Sequence, residues 1–294
     1  MAPVKLITLT TLGMIAFAGN SILCRAALAE TDIDAGSFTS LRLVSGAIML
    51  WLLLQLKSRR AIVDETTVAG ETKTVGGDWL SALALFVYAA GFSYAYINLP
   101  AGAGALLLFG AVQISMISAG LMAGEKLGVW QIAGYGLAFI GLVGLLLPGA
   151  EAPPLFASLL MVVAGIAWGM YSLWGRKGGA PLYNTGGNFV RAVPMTAVLS
   201  WVFMNDIQLD ADGILLAIAS GALASGIGYA IWYAALPALK ATTAAIVQLS
   251  VPIIAALGGL IWLDEAITLR LMLCSAAVLG GIAVFVLFKD RQGA

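Results

Sequence analysis

The chain has 294 residues, 61% of them hydrophobic and only 10% charged, with fifteen basic residues balanced by fifteen acidic ones. A soluble domain carries about 25% charged and about 45–50% apolar residues, so this composition argues against a water-soluble enzyme, and zero net charge argues against nucleic acid as a partner. Histidine is absent, which removes the commonest general base and metal ligand; no cofactor and no metal is expected.

A helix that spans a bilayer needs about 20 predominantly apolar residues. Ten such runs are predicted, at 6–29, 36–57, 79–98, 102–123, 128–147, 155–174, 183–205, 213–236, 241–263 and 268–288. The first has no small-residue cleavage site followed by a polar chain, so it is expected to be retained as a helix. Its Phe17, Asn20 and Cys24 fall at i, i+3 and i+7 and share one face. The second run carries Arg42, and the polar, turn-rich stretch 58–78 after it reads as a cytoplasmic loop. Run three offers Tyr88, Phe92 and Tyr96 at spacing four, with Tyr94 to one side, and run four brings Phe109 and Gln113. Trp168 and Tyr171 lie in run six, and Asn188, Arg191 and Pro194 in run seven. Run eight holds Tyr229, Trp232 and Tyr233, while run nine holds Gln248, Ser250 and Pro252. Runs five and ten look like scaffold, with Gly280 and Gly281 suited to close helix contact. The two cysteines, Cys24 and Cys274, read as small buried hydrophobes, although a disulfide stays possible.

Eleven of the fifteen basic residues fall in loops and tails on one side if the N-terminus is inside, among them Lys57, Arg60, Lys126, Arg176 and Lys240. That asymmetry is the positive-inside bias, and it predicts cytoplasmic termini. Arg25 and Glu265 are placed together on the opposite side.

The two halves echo each other. Phe17 matches Trp168 and Arg25 matches Arg176 at an offset of 151, Arg42 matches Arg191 at 149, Glu125 matches Glu265 at 140, and Gly91 matches Gly228 at 137. Residues 1–150 and 151–294 are therefore expected to be two five-helix units. Five is odd, so the second unit enters the membrane from the opposite side, and inverted repeats of this kind are a transporter architecture with the substrate site between the halves.

The Ala-aromatic-small motif of runs one and six, the arginines of runs two and seven, the Leu-Pro pairs before runs four and nine, and the related 124-GEKL-127 and 264-DEAI-267 carry a further likeness. In their order along both halves they resemble the EamA-type, ten-helix branch of the drug/metabolite transporter superfamily, most closely its bacterial aromatic amino acid exporters. The resemblance implies an all-α integral membrane protein of a bacterial inner membrane, exporting small metabolites by alternating access. One departure is that Pro252 of run nine is answered by Ser115 in run four, which puts equal gating by the two halves in doubt.

Polar and aromatic groups within a span are costly against lipid and tend to face the interior. The expected substrate wall is Phe17, Asn20, Tyr88, Phe92, Tyr94, Tyr96, Phe109, Gln113, Trp168, Tyr171, Asn188, Tyr229, Trp232, Tyr233, Gln248 and Ser250. Arg42, Arg191, Pro194 and Pro252 are expected to gate or to hold the structure, with contact to a substrate carboxylate the alternative for the two arginines. Aromatic faces suit planar apolar side chains or organic cations. The partners foreseen are a small-molecule substrate and the lipid bilayer, with a monomer and a homodimer both open. No deep carboxylate is available for proton exchange, and metalloprotease, Walker and Ser/His motifs are missing. A channel or lipid flippase is the rival reading.

Overall fold

In a computed structural model, residues 2–63, 76–124, 126–149, 151–175, 180–239 and 241–289 are described. They are helical almost throughout, with no strand among the described residues. In chain order the helices are α1 (Pro3–Glu30), α2 (Ala35–Val63), α3 (Trp79–Tyr96), α4 (Ala101–Met122), α5 (Val129–Leu146), α6 (Leu155–Gly175) and α7 (Pro181–Val202). They are followed by α8 (Ala211–Ala238), α9 (Ala241–Gln248), α10 (Ser250–Trp262) and α11 (Leu269–Lys289).

Local chemistry sets the ends. Asp34, Asp78 and Asp210 cap α2, α3 and α8, each accepting from the amide three residues on, at 2.8, 2.9 and 2.8 Å. Proline begins α1 and α7, where its missing N–H costs nothing.

α1 to α6, α8 and α11 are long and apolar enough to cross a membrane. That is eight of the ten spans expected. α7 is a full-length helix, but Asn184, Thr185, Asn188 and Arg191 load its first half with polar side chains. The ninth run is broken: Leu249 closes a tight turn onto the Ile246 carbonyl at 3.0 Å, and Pro252 enters the first turn of α10. The helical ladder is interrupted only at Leu249, which keeps a right-handed helical backbone, so Pro252 sits where α9 bends into α10. α7, by contrast, runs through Pro194 without interruption. α2 continues to Val63, six residues into the stretch expected to be loop; of the expected loop, 64–75 lie outside the described residues. α8 widens to the looser i→i+5 pattern over Ala219–Ile227.

α3 and α4 pack on α6, α8 and α10 pack on α1, α2 packs on α7, and α5 lies along α11. In that last pair a Cβ on Gly134 would collide with the Gly281 carbonyl, and the reverse holds for Gly281. Only glycine lets these two backbones approach so closely. Large apolar side chains such as Trp130, Ile140, Trp201, Leu215 and Trp262 cover the outside, as lipid contact requires. The near side of the bundle is the side where α1 begins, and the far side is the one where it ends.

Candidate functional site

A cavity of about 560 Å³ lies between α1, α3, α4, α6, α7 and α8, with the end of α8 and the start of α9 at its rim. Trp168 is the hub of its wall. Its ring stands 4.8 Å from Tyr88, 5.1 Å from Tyr171 and 5.5 Å from Tyr229, nearly parallel to the last two. Phe17 joins this set by edge contacts with Tyr229 at 5.7 Å and Trp232 at 6.0 Å. The aromatics of four helices thus form one continuous surface. α8 contributes most of it, since Tyr229, Trp232 and Tyr233 follow directly after its widened stretch.

Polar groups occupy two places on this wall. Toward the middle, Ser220 donates to Asn20 Oδ1 at 2.6 Å, and Asn20 Nδ2 donates to the Tyr88 hydroxyl at 3.4 Å. That hydroxyl also accepts from Arg42 Nη2 at 2.9 Å. Nearer the rim, Tyr171 donates to Thr185 at 3.2 Å and Thr185 to Tyr233 at 3.3 Å, with Asn188 Nδ2 3.5 Å from Tyr171. Among the described residues, no Asp, Glu, Lys or Arg lines the cavity. Among the described residues no cluster of three His, Cys, Asp or Glu could hold a metal.

The two ends of the cavity differ. On the near side its lining reaches the helix ends themselves, at Gly175, Pro181, Leu239 and Ala244. On the far side it stops at mid-helix residues such as Ser21, Leu108 and Ser225, and beyond them the helices close together. Arg25 Nε meets Glu265 Oε1 at 2.9 Å, while its Nη1 donates to the carbonyls of Tyr96 and Ile97 at 3.0 and 2.8 Å. The second oxygen of Glu265 accepts the Ala101 amide at 2.7 Å. One ion pair therefore ties the end of α1 to the α3–α4 turn and the α10–α11 turn. It is the only ion pair among the described residues. Asp264 adopts φ 50° to aim Glu265 inward, the one non-glycine residue with positive φ among those described.

At the near side the last residues before α3 are fastened to α7. Gly77 and Asp78 donate their amides to Asn184 Oδ1 at 3.2 Å and Asn188 Oδ1 at 2.9 Å, and Arg191 Nη1 grips the Gly76 carbonyl at 2.7 Å. The Asp78 carboxyl is held below the usual carboxylate range, first by the Ser81 hydroxyl and then by the Ser81 amide.

Thirteen of the sixteen residues expected to form the substrate wall line the cavity: Phe17, Asn20, Tyr88, Phe92, Phe109, Gln113, Trp168, Tyr171, Asn188, Tyr229, Trp232, Tyr233 and Gln248. Three lie elsewhere. Tyr94 packs on Phe203 at 5.5 Å, Tyr96 is fully buried with its hydroxyl on the Ala101 carbonyl at 3.2 Å, and Ser250 bonds the Val247 carbonyl within its own turn at 2.7 Å. Of the four residues assigned to gating or structure, Arg42 is buried behind Tyr88, and Arg191 binds backbone carbonyls at the near side. Asn184, Thr185 and Ser225 also line the cavity but were not expected. The signal was there: Asn184 precedes Asn188 by four, and Ser225 precedes Tyr229 by four.

The pattern of the EamA-like transporter family matches residues 155–287. An uncharacterized protein of Pseudomonas aeruginosa is 55% identical over 280 residues, 95% of this chain and 94% of that one. The chain carries an EamA-like transporter family domain over residues 155–287. More distant relatives of this EamA-like chain include an uncharacterized transporter of Bacillus subtilis, 22% identical over 85% of this chain and 87% of that one. An uncharacterized transporter of Archaeoglobus fulgidus is 25% identical over 87% and 89% of the two chains. A protein crystal structure matches it with a TM-score of 0.64 at 18% identity, over 98% of both chains; that likeness concerns the fold alone. With this domain and these helices, the EamA-like chain is a multi-pass membrane protein.

Proposed function

We propose that the chain is a secondary transporter that exports small metabolites, aromatic or other neutral amino acids first among them, from a bacterial cell by alternating access. The observation that carries this reading is the cavity itself. It is walled by rings, reaches the helix ends on the near side, and is shut on the far side by the Arg25–Glu265 pair. A channel would need both ends open at once, and one state closed at one end is what a carrier requires.

The helix packing supports two inverted units at 1–150 and 151–294, with ten spans. Exchanging each helix for its partner in the other half turns α3 on α6 into α8 on α1, and α4 on α6 into α10 on α1. The pairs α2 with α7 and α5 with α11 map onto themselves. Two states of similar energy follow from such an arrangement, related by swapping the roles of the halves. With the positive-inside charge bias, the near side is cytoplasmic and the state described is open inward. Among the described residues no carboxylate lines the cavity, so none of them offers a proton to exchange for solute, and movement follows the solute gradient or exchanges one solute for another.

Counterflow in proteoliposomes tests the reading directly. Purified protein preloaded with unlabelled tryptophan, phenylalanine or threonine should take up the labelled compound saturably. Absence of flux with all three would remove the amino acid assignment, and strong drive by an imposed pH gradient alone would overturn the coupling.

A further inference from the structure

Arg42 differs from the other buried polar groups in carrying a charge with no counter-charge. It lies seven residues into α2, is 2% exposed, and forms no ion pair. Its guanidinium is held 5.2 Å from the Tyr88 ring centroid and 4.7 Å from that of Phe92. Ring faces attract a cation but do not neutralise it, and an arginine does not release its proton inside a protein. Nη1 is buried without a hydrogen-bond partner among the described residues.

Tyr88 connects this charge to the cavity it lines. Its hydroxyl oxygen accepts from both Arg42 Nη2 and Asn20 Nδ2. Both lone pairs are thereby used, and the hydroxyl proton, polarised by the guanidinium behind it, is left to donate. No acceptor for it is found among the described residues. An unpaired charge in a low-dielectric setting is costly until an opposite charge arrives, and no described side chain of the wall can supply one.

We propose that the solute supplies it: the cavity binds a molecule bearing a carboxylate on a planar apolar body, Tyr88 donates to that carboxylate, and Arg42 sets the sign of charge accepted. Organic cations are excluded by the same field. This rests on the transport reading of the cavity and narrows its substrate class.

Equilibrium binding to the purified protein in lipid nanodiscs tests it, with labelled probes that share a body and differ in charge. The probes are 3-phenylpropionate, phenylalanine and phenethylamine, with hexanoate and hexylamine as an aliphatic pair. Each carboxylate should bind at least about tenfold more tightly than its matched amine, the order expected when an unpaired buried cation faces the site. Arg42→Lys should keep that order and Arg42→Gln should abolish it. Should Arg42→Gln fail to fold, Tyr88→Phe serves in its place and should shrink the preference to within about threefold, as loss of one charge-assisted hydrogen bond predicts. An amine binding as tightly as its carboxylate overturns the proposal, as does a folded Arg42→Gln protein that retains the preference, or the absence of binding by every carboxylate. Binding of hexanoate without the phenyl compounds would overturn the planar body proposed here together with the aromatic assignment, whereas loss of counterflow with intact carboxylate binding would overturn the transport reading alone.

Discussion

Glu265→Gln should loosen the far side of the transporter, and Cys24 is placed to report it. The substitution keeps the shape of the side chain and removes its charge. Glu265 now accepts two hydrogen bonds, from Arg25 Nε at 2.9 Å and the Ala101 amide at 2.7 Å, with the two ion-pair side chains only 20% and 12% exposed. Hydrogen bonds to a charged group contribute about 1.5–3 kcal/mol each against about 0.5–1.5 kcal/mol for neutral ones. The Gln amide keeps one acceptor oxygen and turns its NH2 toward the other donor, so one bond is weakened and the other lost; the closed arrangement should lose about 2–4 kcal/mol, an increase of about 30–900-fold in the open population. Cys24 is fully buried, one residue before Arg25 and one turn beyond Asn20 on the cavity face of α1. A passage opened from the far side would run past it. In a Cys274→Ala background, labelling of Cys24 by a membrane-impermeant maleimide applied to the far side should therefore accelerate by that factor. A change of less than about twofold in a variant that melts like the parent would refute the role given to the pair.

Trp168→Ala removes the ring that touches Tyr88, Tyr171 and Tyr229; with about 0.5–1.5 kcal/mol per aromatic contact, counterflow should fall at least about tenfold. Trp262→Ala, at a site 69% exposed on the lipid-facing side, should stay within about twofold of the parent, since a lone exposed ring carries no binding contact. Gly134→Val forces a side chain against the Gly281 carbonyl between α5 and α11 and should lower thermal stability by about 1–3 kcal/mol, read as a drop in melting temperature in detergent. The Asp78 carboxyl, depressed by its bonds to Ser81, stabilises the fold above about pH 4, the ordinary carboxylate value, and loses that contribution as pH falls through its lowered folded value. Asp78→Ala should cost about 1 kcal/mol at neutral pH and flatten the acid limb of a stability profile.

Long apolar runs made most helices legible, because in lipid a chain must satisfy its backbone internally and helices are the direct solution. Boundaries agree within a few residues at α3, α4, α5 and α6. The interruption at Leu249 follows from Pro252, whose missing N–H leaves the Gln248 carbonyl without its helical donor. The widening of α8 over Ala219–Ile227 has no sequence period of its own. Thirteen cavity residues could be foreseen since an aromatic or amide within a span has few places to go but inward. Tyr96 and Tyr94 share that chemistry yet point elsewhere, Tyr96 to the Ala101 carbonyl just past the α3–α4 turn and Tyr94 to Phe203 after α7. Arg25 and Glu265 could be assigned to one side from charge balance. Their meeting across 240 residues depends on three helix ends converging, for which no local pattern exists.

The grip of α7 on residues 76–78 makes the two faces of the protein mechanically unequal. Closing the near side would have to carry along a strap of backbone held by Asn184, Asn188 and Arg191, whereas the far side is tied by the Arg25–Glu265 clasp and by the pairing of Asp34 with Gln208. Unequal barriers change how fast each half of a cycle runs, but microscopic reversibility forbids them from setting its net direction. A carrier built this way can dwell mostly in one posture and still run backwards when the concentrations are reversed. The direction in which it runs must then be set by the gradients it meets, and its asymmetry shows up as waiting time.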